Sequence, residues 1–263
     1  MNQRKLKIRE ALTIHHNAVA KDYDAVMTVL IGSQNYGLDT EKSDFDTFTF
    51  VLPTLRDIAT LRDPVSTTRE DEYGHINIKD IRLALNLLKK TSPNSVECFA
   101  SPNRIIDAGY YDSIMQLLSN PYVLRCSTGH MMMAIGGMAH QLSKRNMTPG
   151  KRLSHLLRIH CMVHNYFRID SDILSLFEDE QQLALRAKLD PENPRWEKLI
   201  AEYAAIVEEE VKSADVHYFD AHAKQAKETI CDVQKKLIAR KIDDLELKTI
   251  WKKGDEIHAA THA

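Results

Sequence analysis

Residues 30–52 read LIGSQNYGLDTEKSDFDTFTFVL. An apolar run ends at Gly32-Ser33, a mostly polar stretch follows over 34–43, and the chain turns apolar again through Asp44 and Asp46. Strands favour β-branched and aromatic residues, not carboxylates, so the two aspartates need a reason. AVMTVLIGS (25–33) reads as a buried strand. FDTFTFVL (45–52) reads as a second, with Asp46, Phe48 and Phe50 alternating with Thr47 and Thr49, and Pro53 ending it. Residues two apart on a strand share a face, so Asp44 and Asp46 present two carboxylates to one side. Carboxylates that close repel, and one takes up a proton unless a cation lies between them. Mg²⁺ meets that need, because it binds oxygen ligands, commonly one or two carboxylates together with substrate phosphates. Paired ions clamp the attacking and leaving oxygens of a phosphoryl displacement. Gly32-Ser33 supplies the complementary half, a turn at which backbone amides and a hydroxyl can approach phosphate oxygens.

Working outward, residues 4–20 form an amphipathic helix pattern carried by Leu6, Ile8, Leu12, Ile14 and Val19. HINIKD (75–80) is a third strand pattern, followed by the helical IRLALNLLKK and a stop at TSPNS (91–95). TREDEYG (68–74) reads as an exposed turn. Beyond about residue 110 the periods become helical. Trp196, Leu199, Ile200, Tyr203, Val207 and Val211 share one helix face, and Phe219, Ala223, Ala226, Ile230, Val233 and Leu237 share another. The fold expected is α+β: a small mixed sheet with helices over 1–110, followed by an all-α domain over 111–263 that closes a nucleotide cleft.

The stretch GSQNYGLDTEKSDFD is similar to the G-S-x-x-Y-G-L…S-D-x-D signature of a bacterial and phage group within the DNA polymerase β-like nucleotidyltransferase superfamily. KDIRLALNLLKKTSPNSVECFASP (79–102), GKRLSHLLRIHCMVHNYF (150–167) and LSLFEDEQQLALRAKL (174–189) resemble further segments of that group, so the resemblance spans roughly residues 28–190. TSPNS stands where the group tends to have Gly-Asn-Pro.

The resemblance implies transfer of a nucleoside monophosphate from an NTP, ATP being the first candidate, to an acceptor hydroxyl with release of pyrophosphate. It implies two Mg²⁺ ions, with Mn²⁺ as a substitute, on Asp44, Asp46 and a third carboxylate. Asp80 is the candidate for that third position, and its bland alternative is the N-cap of the following helix, which Asp fills well. Glu70, Asp71 and Glu72 are the fallbacks. The helix face of Lys151, His155 and Arg158 would close over the triphosphate beside Gly32 and Ser33, the alternative being an ordinary solvated basic edge. The acceptor could be an RNA end, a protein or a small molecule. Two rival functions remain: a non-catalytic nucleotide-sensing or protein-binding module of the same fold, and a template-independent RNA-end (tRNA) nucleotidyltransferase.

Composition narrows the setting. The chain has 263 residues, with 35 basic against 37 acidic side chains, so no broad polybasic field is present and any nucleic-acid contact must be local. Cys98, Cys126, Cys161 and Cys231 are widely separated and read as free thiols of a reducing compartment. No signal-peptide pattern or apolar span long enough for a membrane is visible, so a cytoplasmic protein without a membrane partner is expected. His160 and His164 have the spacing of two metal ligands but read as core histidines, since no third ligand is evident. Glu97, inside an apolar run, reads as a buried, paired group that is structural or supports the site. Met131–Met133 read as packing, and Gly136-Gly137 as a close approach between helices or a break.

Overall fold

The computed structural model describes residues 3–40, 43–144 and 146–261, with side chains through residue 243. Glu41 and Lys42, inside the expected phosphate-to-metal loop, lie outside the described residues. Helix α1 (Gln3–Ala20) leads into β1 (Asp24–Leu30), a 3-10 turn at Gly32–Tyr36, and β2 (Thr47–Leu52). Then come α2 (Leu55–Ala59), β3 (Ser66–Glu70), β4 (His75–Asp80), α3 (Ile81–Lys89), α4 (Pro93–Ala100) and β5 (Arg104–Ile106). Five strands form one mixed sheet in the order β3-β4-β2-β1-β5. β2 and β4 are parallel, while β1–β2, β1–β5 and β3–β4 are antiparallel.

After residue 110 the described elements are helical. They are α5 (Tyr111–Leu118), α6 (Thr128–Lys144), α7 (Pro149–Tyr166), α8 (Glu178–Leu189), α9 (Arg195–Ser213) and α10 (Asp220–Thr261). The α+β class expected from the sequence is therefore what the chain adopts. β3 is a difference. Its STTRE residues are all exposed, and an edge strand with no buried face lacks the apolar alternation by which a strand is recognised.

The sheet has two unlike faces. Val51, Ile76 and Ile78 pack against Val19 of α1. His15 and His16 of α1 are buried and join it to the sheet through Thr47 Oγ1 (2.9 Å) and Thr28 Oγ1 (3.0 Å). Phe50, on the opposite face, packs with Leu85 and Leu88 of α3, Phe99 of α4, Ile114 of α5, and Ile230, Val233 and Leu237 of α10. The last helix thus returns to cover the sheet.

A second apolar cluster centres on α7. Leu153, Leu156, Leu157, Ile159 and Val163 pack with Met131, Met132 and Ile135 of α6, with Ala184 and Ala187 of α8, and with Trp196, Ile200 and Val207 of α9. Tyr36, Leu38 and Val96 join this cluster and fasten the loop after β1 to the helices. Met133 is exposed.

Gly150 sets the start of α7. Its N–H donates to Pro191 O at 2.8 Å, and a Cβ added there would lie 2.0 Å from Ala187 O, a backbone atom at the end of α8. Gly150→Ala should therefore cost about 1–3 kcal/mol or more, as overpacking does, and displace Lys151. Chemical denaturation checks this: a wild-type midpoint would mean that the α7–α8 contact yields freely.

Candidate active site

The end of β1 and the start of β2 lie side by side. Ile31 N–H donates to Asp46 O at 2.9 Å, just beyond the last ladder pair, Leu30 with Thr47. Gly32 follows immediately with φ +77°, a left-handed conformation that glycine tolerates best. A Cβ there would sit 3.8 Å from Asp46 Oδ2. The two halves of the opening motif therefore meet.

The loop between them is held from three sides. Glu97 Oε1 of α4 accepts the Gly32 N–H at 2.8 Å. Arg4 of α1 donates to Gln34 O and pairs with Asp39. Lys188 of α8 donates to Leu38 O at 2.6 Å.

Asp44 and Asp46 open onto a cleft of about 490 Å³, lined also by Gly32, Ser33, Ser43, Lys151, His155, Arg158 and Lys188. Seven of the eight residues singled out by sequence for catalysis and nucleotide binding are thus brought together. Asp44 is exposed and Asp46 about 40% exposed. Asp46 Oδ1 accepts from the His75 backbone N–H (3.2 Å) and faces His75 Nδ1 at 3.1 Å.

Asp80, the eighth, is not brought to the cleft. In the parallel β2–β4 pairing Thr47 meets Ile76 and Val51 meets Asp80, so Asp80 stands at the far end of the strands from Asp46. Its in-phase neighbours Ile76 and Ile78 face α1, on the opposite side from Phe48 and Phe50, which are in phase with Asp46. Asp80 is buried, caps α3 through Arg82 N–H (2.8 Å), and holds the Arg82 guanidinium in a two-point pair at 2.7 and 3.1 Å. The helix-cap reading describes it.

Among the fallbacks, Asp71 Oδ1 is engaged by His15 Nε2 (3.1 Å) and the Tyr73 and Gly74 N–H groups. Burial raises its pKa, but those hydrogen bonds and His15 outweigh burial and lower it overall. Glu72 is exposed in the same turn. Glu70 pairs with His75 across β3–β4, which puts it on the Asp46 side of the sheet with His75 between them.

Arg158 is placed differently from a free cation. Its Nη2 contacts both Glu97 oxygens at 3.2 Å, and its guanidinium lies 4.0 Å from the Tyr36 ring centroid. Burial opposes the charge, but Tyr36 and Glu97 outweigh it and raise the Arg158 pKa. Arg158 Nε is buried without a hydrogen-bond partner, which leaves one donor of the fork unspent at the cleft wall. Glu97, read from sequence as buried and paired, links this arginine to the Gly32 amide.

Lys188 is the cleft residue that sequence reasoning missed. It lies in the segment quoted for its resemblance, but an isolated lysine near a helix end carries no signal of its own. Its pKa is lowered, first by burial and then by Arg158, with Lys151 adding to the effect and Asp39 opposing it. A lysine so placed loses its proton below the usual range near 10.4. If it attracts nucleotide phosphates, NTP affinity should fall as pH rises through that lowered pKa. Lys188→Arg, which stays charged, should move the fall to higher pH. An unchanged alkaline limb in Lys188→Arg would remove Lys188 from the binding set.

The donor set fits a hard divalent cation: two accessible carboxylates beside hydroxyl groups, facing a wall of Lys151, Arg158 and Lys188 suited to anionic phosphates. A mixed sheet that carries Gly-Ser and an Asp-x-Asp pair at adjoining strand ends, capped by a basic helix, is the arrangement of a polymerase β-like nucleotidyltransferase, and this chain is one. It belongs to the RNA repair pathway DNA polymerase beta family (RlaP), which matches residues 6–166, more than half of the chain and both walls of the cleft up to the end of α7. A comparison with curated proteins gave no match. Among the described residues, no helix is long and apolar enough to cross a membrane.

Proposed function

We propose that the protein moves a nucleoside monophosphate from an NTP, ATP first among them, to an acceptor hydroxyl, with the 1–110 segment supplying catalysis and 111–263 the closing wall. The observation that carries this reading is the convergence of Gly32-Ser33, Asp44 and Asp46 on one cleft opposite α7. Mg²⁺ held by Asp44 and Asp46 would supply charge neutralisation and Lewis acidity at the α-phosphate. The chain's own part is positioning, which carries most of the catalysis in phosphoryl transfer. Gly32 and Ser33 offer backbone N–H and hydroxyl donors to phosphate oxygens. Lys151 and Lys188 offset charge on the outer phosphates, and His75 fixes the orientation of the Asp46 carboxylate. The acceptor hydroxyl gives up its proton to water in the open cleft, and its oxygen forms a bond to the α-phosphorus as the bond from that phosphorus to the bridging β-phosphate oxygen breaks and pyrophosphate leaves.

The family description, an RNA repair pathway, favours an RNA end as acceptor over a protein or small molecule. The near-neutral charge balance confines RNA contacts to the neighbourhood of the cleft. Incubating wild type and Asp44→Ala/Asp46→Ala with α-labelled NTPs and RNA tests it: label should enter RNA with the wild type alone. Label in protein or small molecules would reassign the acceptor.

One observation favours a sensor instead. Among the described residues, Asp44 and Asp46 are the carboxylates that line the cleft, and the strand neighbour of Asp46 is His75 rather than a third carboxylate. Mg²⁺-dependent ATP binding without pyrophosphate release over a wide acceptor panel would support that second reading.

Arg158→Ala separates two roles. A charge-assisted contact to the outer phosphates is worth roughly 1.5–3 kcal/mol, or about ten- to a hundredfold in ATP affinity. AMP, which lacks those phosphates, should lose little. Equal losses for ATP and AMP would leave Arg158 as a support for the Gly32 loop through Glu97.

A further inference from the structure

The helix that forms the cleft wall carries a second constellation on its back. His160 follows Arg158 by two residues, a turn of about 200° around the helix, and so faces α8 and α9 rather than the cleft. His160 and His164, one turn apart, both point at Glu210 of α9. His160 Nδ1 lies 3.0 Å from a Glu210 oxygen, and His164 Nε2 lies 2.7 Å from Oε1 of the same carboxylate. One donor atom from each of the three residues falls within 4.8 Å of the others. The two rings meet edge to face, with centroids 4.9 Å apart.

We propose that His160, His164 and Glu210 form a binding site for a zinc-class divalent cation, separate from the Asp44/Asp46 centre. Four features support it beyond the helical spacing. Two imidazoles and one carboxylate are a donor set that suits zinc rather than Mg²⁺, which prefers oxygen ligands. The other ring nitrogen of His160, Nε2, looks toward Glu180 Oε1 at 3.9 Å, and the Tyr203 hydroxyl donates to that oxygen at 3.4 Å. A carboxylate behind a ligating histidine is the arrangement that fixes its tautomer and orientation at metal centres.

The site is also walled on one side and open on the other. His160 is nearly buried, with Phe177 and Tyr203 rings against it, whereas His164 is 42% exposed. His164 and Glu210 line a surface cavity of about 420 Å³ together with Phe167, Asp215 and Tyr218. A cation can reach the site from that cavity, and a water can complete four-coordination there. Lastly, the rearrangement needed lies within reach of side-chain rotation. Ligands of a tetrahedral zinc stand about 3.3 Å apart for bonds of about 2.0–2.1 Å, so the two histidine–glutamate contacts of 3.0 and 2.7 Å would open slightly, while the two imidazole nitrogens, now within 4.8 Å, would draw in to that spacing. Binding would exchange the protons that now bridge imidazole and carboxylate for the metal, and would tie α7 to α9 behind the nucleotide cleft.

The test uses the full chain without a histidine tag, stripped of metal by a chelator and titrated with Zn²⁺ and with Co²⁺. One ion should bind per chain at this site, and Co²⁺ should show the intense visible absorption of a tetrahedral centre. His164→Asn, at a half-exposed position that tolerates change, should abolish that spectrum. Glu180→Gln should weaken binding by about tenfold, as loss of an outer carboxylate does. Asp44→Asn should leave the Co²⁺ spectrum intact, which separates this site from the proposed catalytic one. Absence of saturable binding, or binding that His164→Asn and Glu210→Gln both leave unchanged, would overturn the assignment. Circular dichroism of each variant distinguishes a lost ligand from a lost fold.

Discussion

Asp46→Ala is expected to lower nucleotidyl transfer by at least about a thousandfold, or roughly 4 kcal/mol of transition-state stabilisation, with the fold retained. The carboxylate stands where the last residue before β2 meets Gly32, with Oδ1 held by His75 and Oδ2 turned toward the Gly32 backbone. It is about 40% exposed, so its removal buries no orphan charge, and the stability cost should stay within a fraction of a kcal/mol to about one. What is lost is the negative charge that a cation needs beside the phosphates. NTP binding should accordingly lose its dependence on Mg²⁺. Asp44→Asn, which keeps the shape and removes one charge, should also remove most activity. If either variant turns over at a rate close to wild type, the two carboxylates are not the metal ligands and the proposed mechanism fails.

The parts of this site that could be read from the sequence are those whose meaning is local. Gly32-Ser33 and Asp44/Asp46 are separated by one loop, so a strand–turn–strand reading brings them together without knowledge of the rest of the fold. Lys151, His155 and Arg158 are spaced as one helix face and needed only the helix period. Asp80 shows where local reading ends. Its phase with Ile76 and Ile78 was visible, but which face of the sheet that phase selects depends on the neighbouring strand. β4 pairs in parallel with β2, so the isoleucine phase faces α1 and the residues facing with Asp46 are His75, Asn77 and Lys79. Strand β3 and the return of α10 to the sheet were hidden for related reasons. An edge strand with exposed side chains has no buried face to repeat, and an amphipathic helix shows that it packs but not against what. Glu210 illustrates the same limit: the His160–His164 spacing was plain, whereas the third donor lies 46 residues further on, on another helix.

Glu97→Ala should be the most costly single change near the cleft, at roughly 3–5 kcal/mol of folding stability, the range for removing one partner of a buried ion pair. Glu97 and Arg158 are each about 13% exposed, so neither charge is well hydrated without the other. The substitution would strand the guanidinium over the Tyr36 ring and at the same stroke leave the Gly32 N–H without its 2.8 Å acceptor. Two consequences follow from the double duty of this carboxylate. Glu97→Ala/Arg158→Met, which removes both charges and keeps most of the volume, should recover a large part of the stability, because an apolar pair is no worse than an ion pair in a dry site. It should not recover activity, because Gly32 still lacks its acceptor and the phosphate-facing turn is no longer fixed beside Asp46. Glu97→Gln should divide the effects the other way: its amide oxygen can still accept from Gly32, while Arg158 is left uncompensated and more attractive to an anionic ligand. Urea unfolding, ATP titration and a pyrophosphate-release assay of the three variants decide the matter. A loss below about 1 kcal/mol in Glu97→Ala would place the Glu97–Arg158 pair among weak surface contacts. Restored activity in the double variant would show that the Gly32 turn holds its position without Glu97.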